Sequence, residues 1–317
     1  MQARFIRNLL VFCFCMVFTQ ATKAQNAARI YVEPDGWSIG TDFGMTDLWG
    51  DVGTKSIIDH YTNSKYTNKM CFMGGLFGRY TVHPCFAIRM MLNYGVLYAT
   101  DQWNYDKVKG KNLAEGSDVV QRFLREQNAK DQTFESTVLF ELMPFRFNPE
   151  SKSAHRRGQL FFGAGIGVFH FVPYSTEGNS NTYVKTYDLH LEGQGWGGDY
   201  PKNYSLWQPA IPLAIGYRWD IGQHLNLGFE FMYRYCFTDY LDGVSGKYVD
   251  PPAFYTHMPA TQAATAEAVA DKEPYFNNAP ANTAGNLRGN PGNDAYSTIT
   301  ITFSYKIFAR NNRWWLP

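Results

Sequence analysis

The chain has 317 residues, of which 45% are hydrophobic and 18% charged, and its mean hydropathy is −0.34. These values exclude both a bundle of membrane-spanning helices and an intrinsically disordered chain. The formal net charge is only +1, so we expect no nucleic-acid partner.

The N-terminal residues have the pattern of a cleavable export signal. Arg4 and Arg7 precede an apolar stretch of about 10 residues, and a small residue, Ala24, stands at the expected cleavage position. A spanning helix needs about 20 apolar residues, so this stretch is too short to be one. We predict a signal peptide over residues 1–24 and a short periplasmic segment over 25–35.

Eight segments of the remaining chain alternate between bulky apolar and small or polar residues with a period of two. Each has about 10 residues or more, which is the length that a tilted strand needs to cross a bilayer, whereas strands of soluble proteins are usually shorter. Aromatic residues make up 17% of the chain and favour strands and water–lipid interfaces. The predicted strands are 36–45, 70–82, 86–98, 133–147, 160–172, 205–219, 225–238 and 296–308.

Short and long connections alternate between these strands. The short links carry turn residues such as Pro84 and Gly222. The long polar stretches are predicted as extracellular loops over 47–68, 99–132, 173–204 and 239–294. Short periplasmic turns that alternate with long outer loops are typical of outer-membrane barrels. We therefore predict an all-β fold, an eight-stranded antiparallel transmembrane β-barrel over 36–308 that is monomeric and lies in the lipid of the cell outer membrane, with a periplasmic tail over 309–317.

Two local predictions concern the loops. Residues Ser117 to Ala129 are predicted to form a short amphipathic helix. The tract from Pro259 to Asp294 is rich in Ala, Thr and Asn, and we expect it to be mobile and partly disordered.

Charged residues fall on one face of the predicted strands. A charge that faces lipid at the middle of the bilayer costs about 2–4 kcal/mol for Arg or Lys, so this face is predicted to point into the barrel. The interior of an eight-stranded barrel is only wide enough for its own side chains. We therefore predict an ion network that plugs the lumen rather than a channel, with a small gated pore as the alternative. The network comprises Asp42, Glu135, Glu141, Glu230, Arg79, Arg89, Arg234 and Lys306.

One block of sequence is specific enough to indicate a family. The segment from Cys236 to Asp250, CFTDYLDGVSGKYVD, resembles the FTDYLDDVS-x-x-Y-V-D signature of Bacteroidota outer-membrane β-barrel proteins of the PorG-like family. Weaker similarity lies at Trp49–Gly53, at Phe86–Gly95, and at the LEGQG and QPAIP stretches that begin at Leu191 and Gln208. The resemblance implies an eight-stranded barrel. It also implies a possible role as an outer-membrane component of the type IX secretion system that associates with periplasmic ring proteins.

If the chain belongs to such a system, its contact with ring proteins must be made on the periplasmic side. Arg and Trp are favoured anchors of protein interfaces. The predicted docking residues are Arg156 and Arg157 in a turn and Trp314 and Trp315 in the tail. The alternative is that these residues contact lipid headgroups at the inner rim.

The sequence predicts no catalytic residues, no cofactor and no metal site. Cys71, Cys85 and Cys236 have neither CxxC spacing nor paired histidines. A rim calcium site at Asp239, Asp242 and Asp250 is the alternative to their capping a turn.

Two further functional alternatives remain open. A rim acyl hydrolase would need a nucleophile, a base and an acid. The candidates are Ser205 as the nucleophile, His170 as the base and Glu135 as the acid. An adhesin or ligand-capture protein would use aromatic residues of the outer loops. These are Trp103, Tyr105, Trp196, Tyr200, Phe254 and Tyr255.

Overall fold

The structure, a computed structural model, describes residues 36–54, 71–110, 116–147, 157–221 and 224–308. The predicted signal peptide, the segment 25–35 and the tail 309–317 lie outside these residues. The described residues form an antiparallel sheet whose strands are numbered here in chain order. They are β1 (Gly36–Trp49), β2 (Cys71–His83), β3 (Phe86–Thr100), β4 (Asn128–Leu142), β5 (Gly158–Thr176), β6 (Tyr183–Lys185), β7 (Trp207–Ile221), β8 (Leu225–Cys236) and β9 (Ala295–Phe308).

Within the described residues, eight of these strands close into a barrel, which confirms the predicted fold class. Each of the eight strands pairs with the next one along the chain, with β5 pairing with β7, and β1 pairs with β9. The short strand β6 pairs with the last residues of β5. The strands are staggered relative to one another. A path that starts at Ile307 in β9 and passes from each residue to its direct partner on the next strand returns to β9 at Ser297, ten residues away. Such a stagger requires strands tilted by about 35–45° from the barrel axis.

The alternation of side chains produces two chemically different surfaces. Large apolar residues in the middle of the strands point outward, and Leu76 and Ile166 are 69% and 68% exposed. Aromatic residues also point outward near both ends, for example Trp37 and Tyr217 towards the short turns and Trp207 towards the long loops. The inward positions carry the buried charged, hydroxyl and small residues.

The strand ends differ from the predicted ones in β4, which was predicted to run from 133 to 147. The ladder begins at Asn128, because this residue pairs with Thr100 and its side chain donates to Thr176 Oγ1 at 2.7 Å. It ends at Leu142, because Pro144 has no N–H for a ladder and begins a 3₁₀ turn over Pro144–Arg146.

Helices lie in two of the long loops. The loop from β3 to β4 contains α1 (Tyr105–Val108) and α2 (Asp118–Arg125). The loop from β8 to β9 contains α3 (Pro251–His257), α4 (Ala260–Ala270) and α5 (Glu273–Asn277). In the part of the chain that the structure describes, no helix is long and apolar enough to span a membrane.

The two local predictions for the loops have different outcomes. The predicted helix over 117–129 is present but ends at Arg125, because Glu126 adopts a left-handed conformation with φ 55° and the chain then enters β4. The prediction that 259–294 is partly disordered is wrong for α4. The small side chains of Ala263 and Ala266, with Val269, pack this helix against a core cluster from the neighbouring loop.

Candidate functional site

Three arginines meet one carboxylate in the lower half of the lumen. Glu141 pairs with Arg79 at 2.8 Å, with Arg89 at 2.9 Å and with Arg218 at 2.5 Å. Arg89 also pairs with Glu230. These side chains are at most 10% exposed. Arg79 and Arg89 are direct cross-strand partners, and the shared carboxylate between them offsets their mutual repulsion.

A second ion pair lies nearer the loops. Arg234 donates two hydrogen bonds to Glu135, of 2.8 and 2.7 Å. This bidentate geometry strengthens the ion pair. The same carboxylate accepts hydrogen bonds from the Tyr296 hydroxyl and the Asn93 amide. Arg234 also donates to Thr298 Oγ1 at 2.7 Å. Every member is buried, and the Glu135 carboxylate accepts hydrogen bonds from three different side chains, so this polar network is tightly connected.

The lumen closes towards the turns with a third group. Asp220 accepts from Lys306 at 2.6 Å and pairs with Arg146 at 3.2 Å. Between this group and the loops, a cluster of buried apolar side chains that includes Phe77, Met91 and Leu139 fills the space beside the arginines. The described side chains inside the barrel are thus mainly paired charges and apolar groups.

The structure places all eight residues of the predicted ion network in the lumen, but the sequence did not identify their partners. Arg234 pairs with Glu135 rather than with Glu230, which lies on its own strand. Asp42 is 2% exposed and its Oδ1 atom has no hydrogen-bond partner among the described residues. Sequence reasoning missed Arg218 and Asp220, although the alternation along β7 places both on the inward face.

One buried carboxylate organises the loops above the lumen. Asp101 follows β3 and accepts hydrogen bonds from the backbone N–H groups of Gly53 and Gln127 and two more from Arg125, all between 2.9 and 3.1 Å. Arg125 in turn donates to the carbonyls of Asp51 and Arg288, at 2.7 and 2.6 Å. This contact set joins the loops after β1, β3 and β8.

The segment 236–250, which follows β8, forms further hydrogen bonds between the loops. Asp242 accepts from the N–H of Val52 at 2.8 Å and from that of Val244 at 2.9 Å, and Asp294 accepts from the N–H of Leu241 at 2.9 Å. An added Cβ at Gly50 would lie 2.4 Å from the Asp242 carboxylate and 2.8 Å from that of Asp294, so a larger residue at this position would displace both carboxylates. Both carboxyl groups therefore lie close together against the backbone of Gly50.

The loop from β5 to β7 joins the same assembly. Glu192 accepts from the N–H groups of Ser245 and Gly246 at 2.9 and 2.8 Å, and it pairs with Arg288 at 2.9 Å. Arg288 also donates to the carbonyl of Ala270 at the end of α4. The described parts of all four long loops are thus linked. We call this assembly the loop cap.

Burial changes the acidity of the carboxyl groups in the loop cap. Burial and the nearby charge of Asp51 raise the pKa of Asp242 from 3.8 to about 7. Burial, with Asp242 and Asp239 close by, raises the pKa of Asp294 as well. The opposing charge of Arg125 is too weak to cancel this effect at Asp242. One proton is therefore retained by the pair near neutral pH.

We expect the loop cap to lose stability as the pH rises. The folded-state pKa of Asp242 lies above its ordinary value, so the stabilisation is complete below about pH 4 and is lost as the pH rises through about 7. Between pH 6 and pH 8 the loss is about 1.4 kcal/mol for one such group. Thermal unfolding at the two pH values measures this difference. Asp242→Asn, which removes the titrating carboxyl group, should flatten the dependence, and an unchanged slope would show that Asp242 does not titrate in this range.

The residues of the hydrolase alternative do not come together. Glu135 lies in the lumen and pairs with Arg234, whereas His170 points outward and contacts Trp207, with ring centroids 5.0 Å apart and the rings tilted by 56°. Ser205 Oγ accepts the N–H of Trp207 at 3.1 Å. The base and the acid therefore lie on opposite faces of the sheet, and the hydrolase alternative is wrong in its residues.

The three aspartates proposed as calcium ligands each have a different environment. Asp242 caps backbone N–H groups, Asp239 accepts from Ser245 Oγ at 2.5 Å, and Asp250 is exposed at the start of α3. No group of three or more His, Cys, Asp or Glu side chains within the described ranges is arranged to hold a metal ion. Cys71, Cys85 and Cys236 are free thiols.

The aromatic residues of the outer loops divide into packed and exposed groups. Phe254 is 1% exposed, Trp103 packs against a buried cluster, and Trp196 stacks on His257. Tyr105 and Tyr255 are 40% and 49% exposed. Most of this group stabilises the loops rather than presenting a binding surface.

Only part of the predicted docking set can be placed. Arg157 lies at the start of the chain segment that enters β5, and its carbonyl accepts from the N–H of Asp220. Arg156, Trp314 and Trp315 lie outside the described residues. Phe145 and Phe147, in the same turn region as Arg157, are 54% and 61% exposed.

No family model matches this chain, and no curated protein matches it. Among solved structures it is similar to Neisserial surface protein A, at 8% identity over 86% of this chain and 97% of that one, with a TM-score of 0.36. It is also similar to the attachment invasion locus protein Ail of Yersinia pestis, solved with the heparin analogue sucrose octasulfate, at 8% identity over 86% and 98%, with a TM-score of 0.35. The outer membrane protein OprG from Pseudomonas aeruginosa matches at 9% identity over 86% and 96%, with a TM-score of 0.34.

Proposed function

We propose that the chain is a closed, non-enzymatic β-barrel of the outer membrane with a structural or anchoring role. The observation that carries this proposal is the filled lumen, in which buried arginines and carboxylates form ion pairs while the loop cap links the long loops above them. A barrel filled in this way acts through its ends and its outer surface rather than by passing solutes.

The outer surface supports a membrane location. Its middle zone consists of exposed aliphatic and aromatic side chains such as Ile39, Leu76 and Phe229, which are 55%, 69% and 56% exposed. Leaving such residues in water costs about 1.5–3 kcal/mol each relative to burying them. Aromatic residues near both ends match the girdles of outer-membrane barrels.

The finer part of the proposal is a role in the type IX secretion system, in which the barrel docks periplasmic ring proteins. Its support is the resemblance of residues 236–250 to the PorG-like signature. The β4–β5 connection carries the exposed Phe145 and Phe147, and the sequence-predicted docking residues are Arg156, Arg157, Trp314 and Trp315. Aromatic and Arg side chains are the residues most enriched at binding hot spots.

The docking role is tested by replacing Arg156, Arg157, Trp314 and Trp315 together with alanine. We expect the variant to remain a folded membrane protein, judged by faster migration of unheated than of boiled samples on a denaturing gel, but to lose capture of ring proteins. The matched control replaces two cations and two aromatics of the exposed loops, Lys202, Lys247, Tyr255 and Tyr275, and should retain capture. Normal capture by the first variant would leave the anchoring role without this partner.

A further inference from the structure

A cavity of about 460 Å³ opens between α2 and the second half of the loop from β8 to β9. One wall carries Gln121 on α2, and the facing wall carries Tyr248, Asn286 and Leu287. Its volume lies within the range of small-ligand sites. The predicted functional residues do not include this position, and the cavity lies at the opposite end of the barrel from Arg157, the one proposed docking residue that the structure describes.

The guanidinium groups around the cavity are already paired with carboxylates of the protein. Arg122 pairs with Asp118 at 3.2 Å, Arg125 pairs with Asp101, and Arg288 pairs with Glu192. Three guanidinium groups would otherwise make an anion site. Because each has a carboxylate partner, binding an anion would require breaking these ion pairs, and Arg125–Asp101 and Arg288–Glu192 are buried. The cavity is therefore suited to an uncharged ligand.

Polar groups that are not used by the protein face this space. Gln121 and Asn286 are exposed, and in the described part of the chain neither side chain forms a hydrogen bond. The Tyr248 side chain is 7% exposed, and its phenol likewise has no side-chain partner there. Amide groups both donate and accept hydrogen bonds, as a phenol does. Such groups match ligand hydroxyls, each of which also donates and accepts.

The cavity also contains an apolar surface. Leu287 is 64% exposed and Leu124 lines the opposite wall. A ligand with hydroxyls on its edge and C–H groups on its face can use both kinds of wall, and a sugar ring has this arrangement. The combination distinguishes a saccharide from a purely polar solute such as an inorganic ion.

The walls are held in place without a ligand. The N–H groups of Arg288 and Asn290 donate to Gly246 O at 2.8 Å and to Asp51 Oδ2 at 2.7 Å. Lys247 and Leu287 form a β-bridge, and Asn282 donates to Asp271 and Glu273. A preformed site loses little conformational freedom when it binds.

We propose that this cavity binds a neutral mono- or disaccharide. The amides of Gln121 and Asn286 and the Tyr248 phenol hold the hydroxyls, and Leu287 contacts the ring face. The saccharide site gives the barrel a ligand-capture activity at its loop end, and this activity does not depend on the anchoring role.

The test uses the full chain in detergent and isothermal titration calorimetry. The probes are glucose, galactose, mannose, N-acetylglucosamine and disaccharides of these sugars, together with sulfated and sialylated counterparts. We expect at least one neutral sugar to bind saturably. Gln121→Ala with Asn286→Ala should weaken it by about tenfold, since two hydrogen bonds are removed.

The matched control is Asn179→Ala with Asn181→Ala, which removes two exposed amides from a different loop and should leave the affinity unchanged. The gel shift of unheated samples verifies that each variant is folded. Binding of charged sugars alone, equal loss in both double variants, or no binding by any neutral probe would overturn the proposal. None of these outcomes bears on capture of ring proteins, so the two proposals fail independently.

Discussion

Glu141→Ala is expected to lower the free energy of unfolding by at least about 3–5 kcal/mol, the cost of breaking a buried ion pair by removing one partner. Glu141 is fully buried and pairs with Arg79, Arg89 and Arg218. Arg89 keeps its contact with Glu230, but Arg79 and Arg218 lose the carboxylate that balances them. The effect therefore falls on two buried guanidinium groups at once.

The temperature at which the folded band disappears on a denaturing gel, or chemical unfolding in detergent, measures this loss. Asp199→Ala removes an exposed carboxylate and should change the stability by less than about 0.5 kcal/mol. If both variants unfolded like the wild type, the arginine cluster would not be what holds the lumen together.

The second large effect is expected at the loop cap. Asp101→Ala removes the acceptor of four hydrogen bonds, two of them from Arg125. Arg125 and the N–H groups of Gly53 and Gln127 are then left without this acceptor in a buried site. The expected cost is again about 3–5 kcal/mol, and it should appear as local opening of the loops, since the barrel ladders do not include Asp101.

Trypsin reports this opening on intact cells. Arg122 and Arg125 are 6% and 9% exposed in the folded loop, so the wild type should resist cleavage there and the Asp101→Ala variant should be cut. Asp118→Ala removes a surface ion pair on the same helix, worth about 0.3–0.5 kcal/mol, and should stay resistant. Resistance in the Asp101 variant would show that other contacts hold the cap.

The barrel could be predicted from the sequence because its main signal is local. A period of two determines which side chains share a face, and the cost of a charge in lipid determines which face points inward. Strand limits such as Phe86 for β3 and Leu225 for β8 were accurate, since turn residues end the pattern. The same period of two along β7 places Arg218 and Asp220 on the inward face, so the sequence was sufficient to include them in the predicted ion network.

The ion pairs and the loop cap were decided by the tertiary structure. Arg234 meets Glu135, 99 positions earlier in the chain, because the stagger of the strands brings β8 and β4 to the same height across the lumen, and no local pattern contains that stagger. Tract 259–294 looked disordered by composition, yet α4 is ordered because Leu189, Leu191 and Phe254 cover its small side chains. The sequence by itself determined the strands and their two faces, which depend on neighbouring residues. Only the closed barrel decided which charges neutralise one another and how the loops close over them, because those contacts join residues that are distant in the chain.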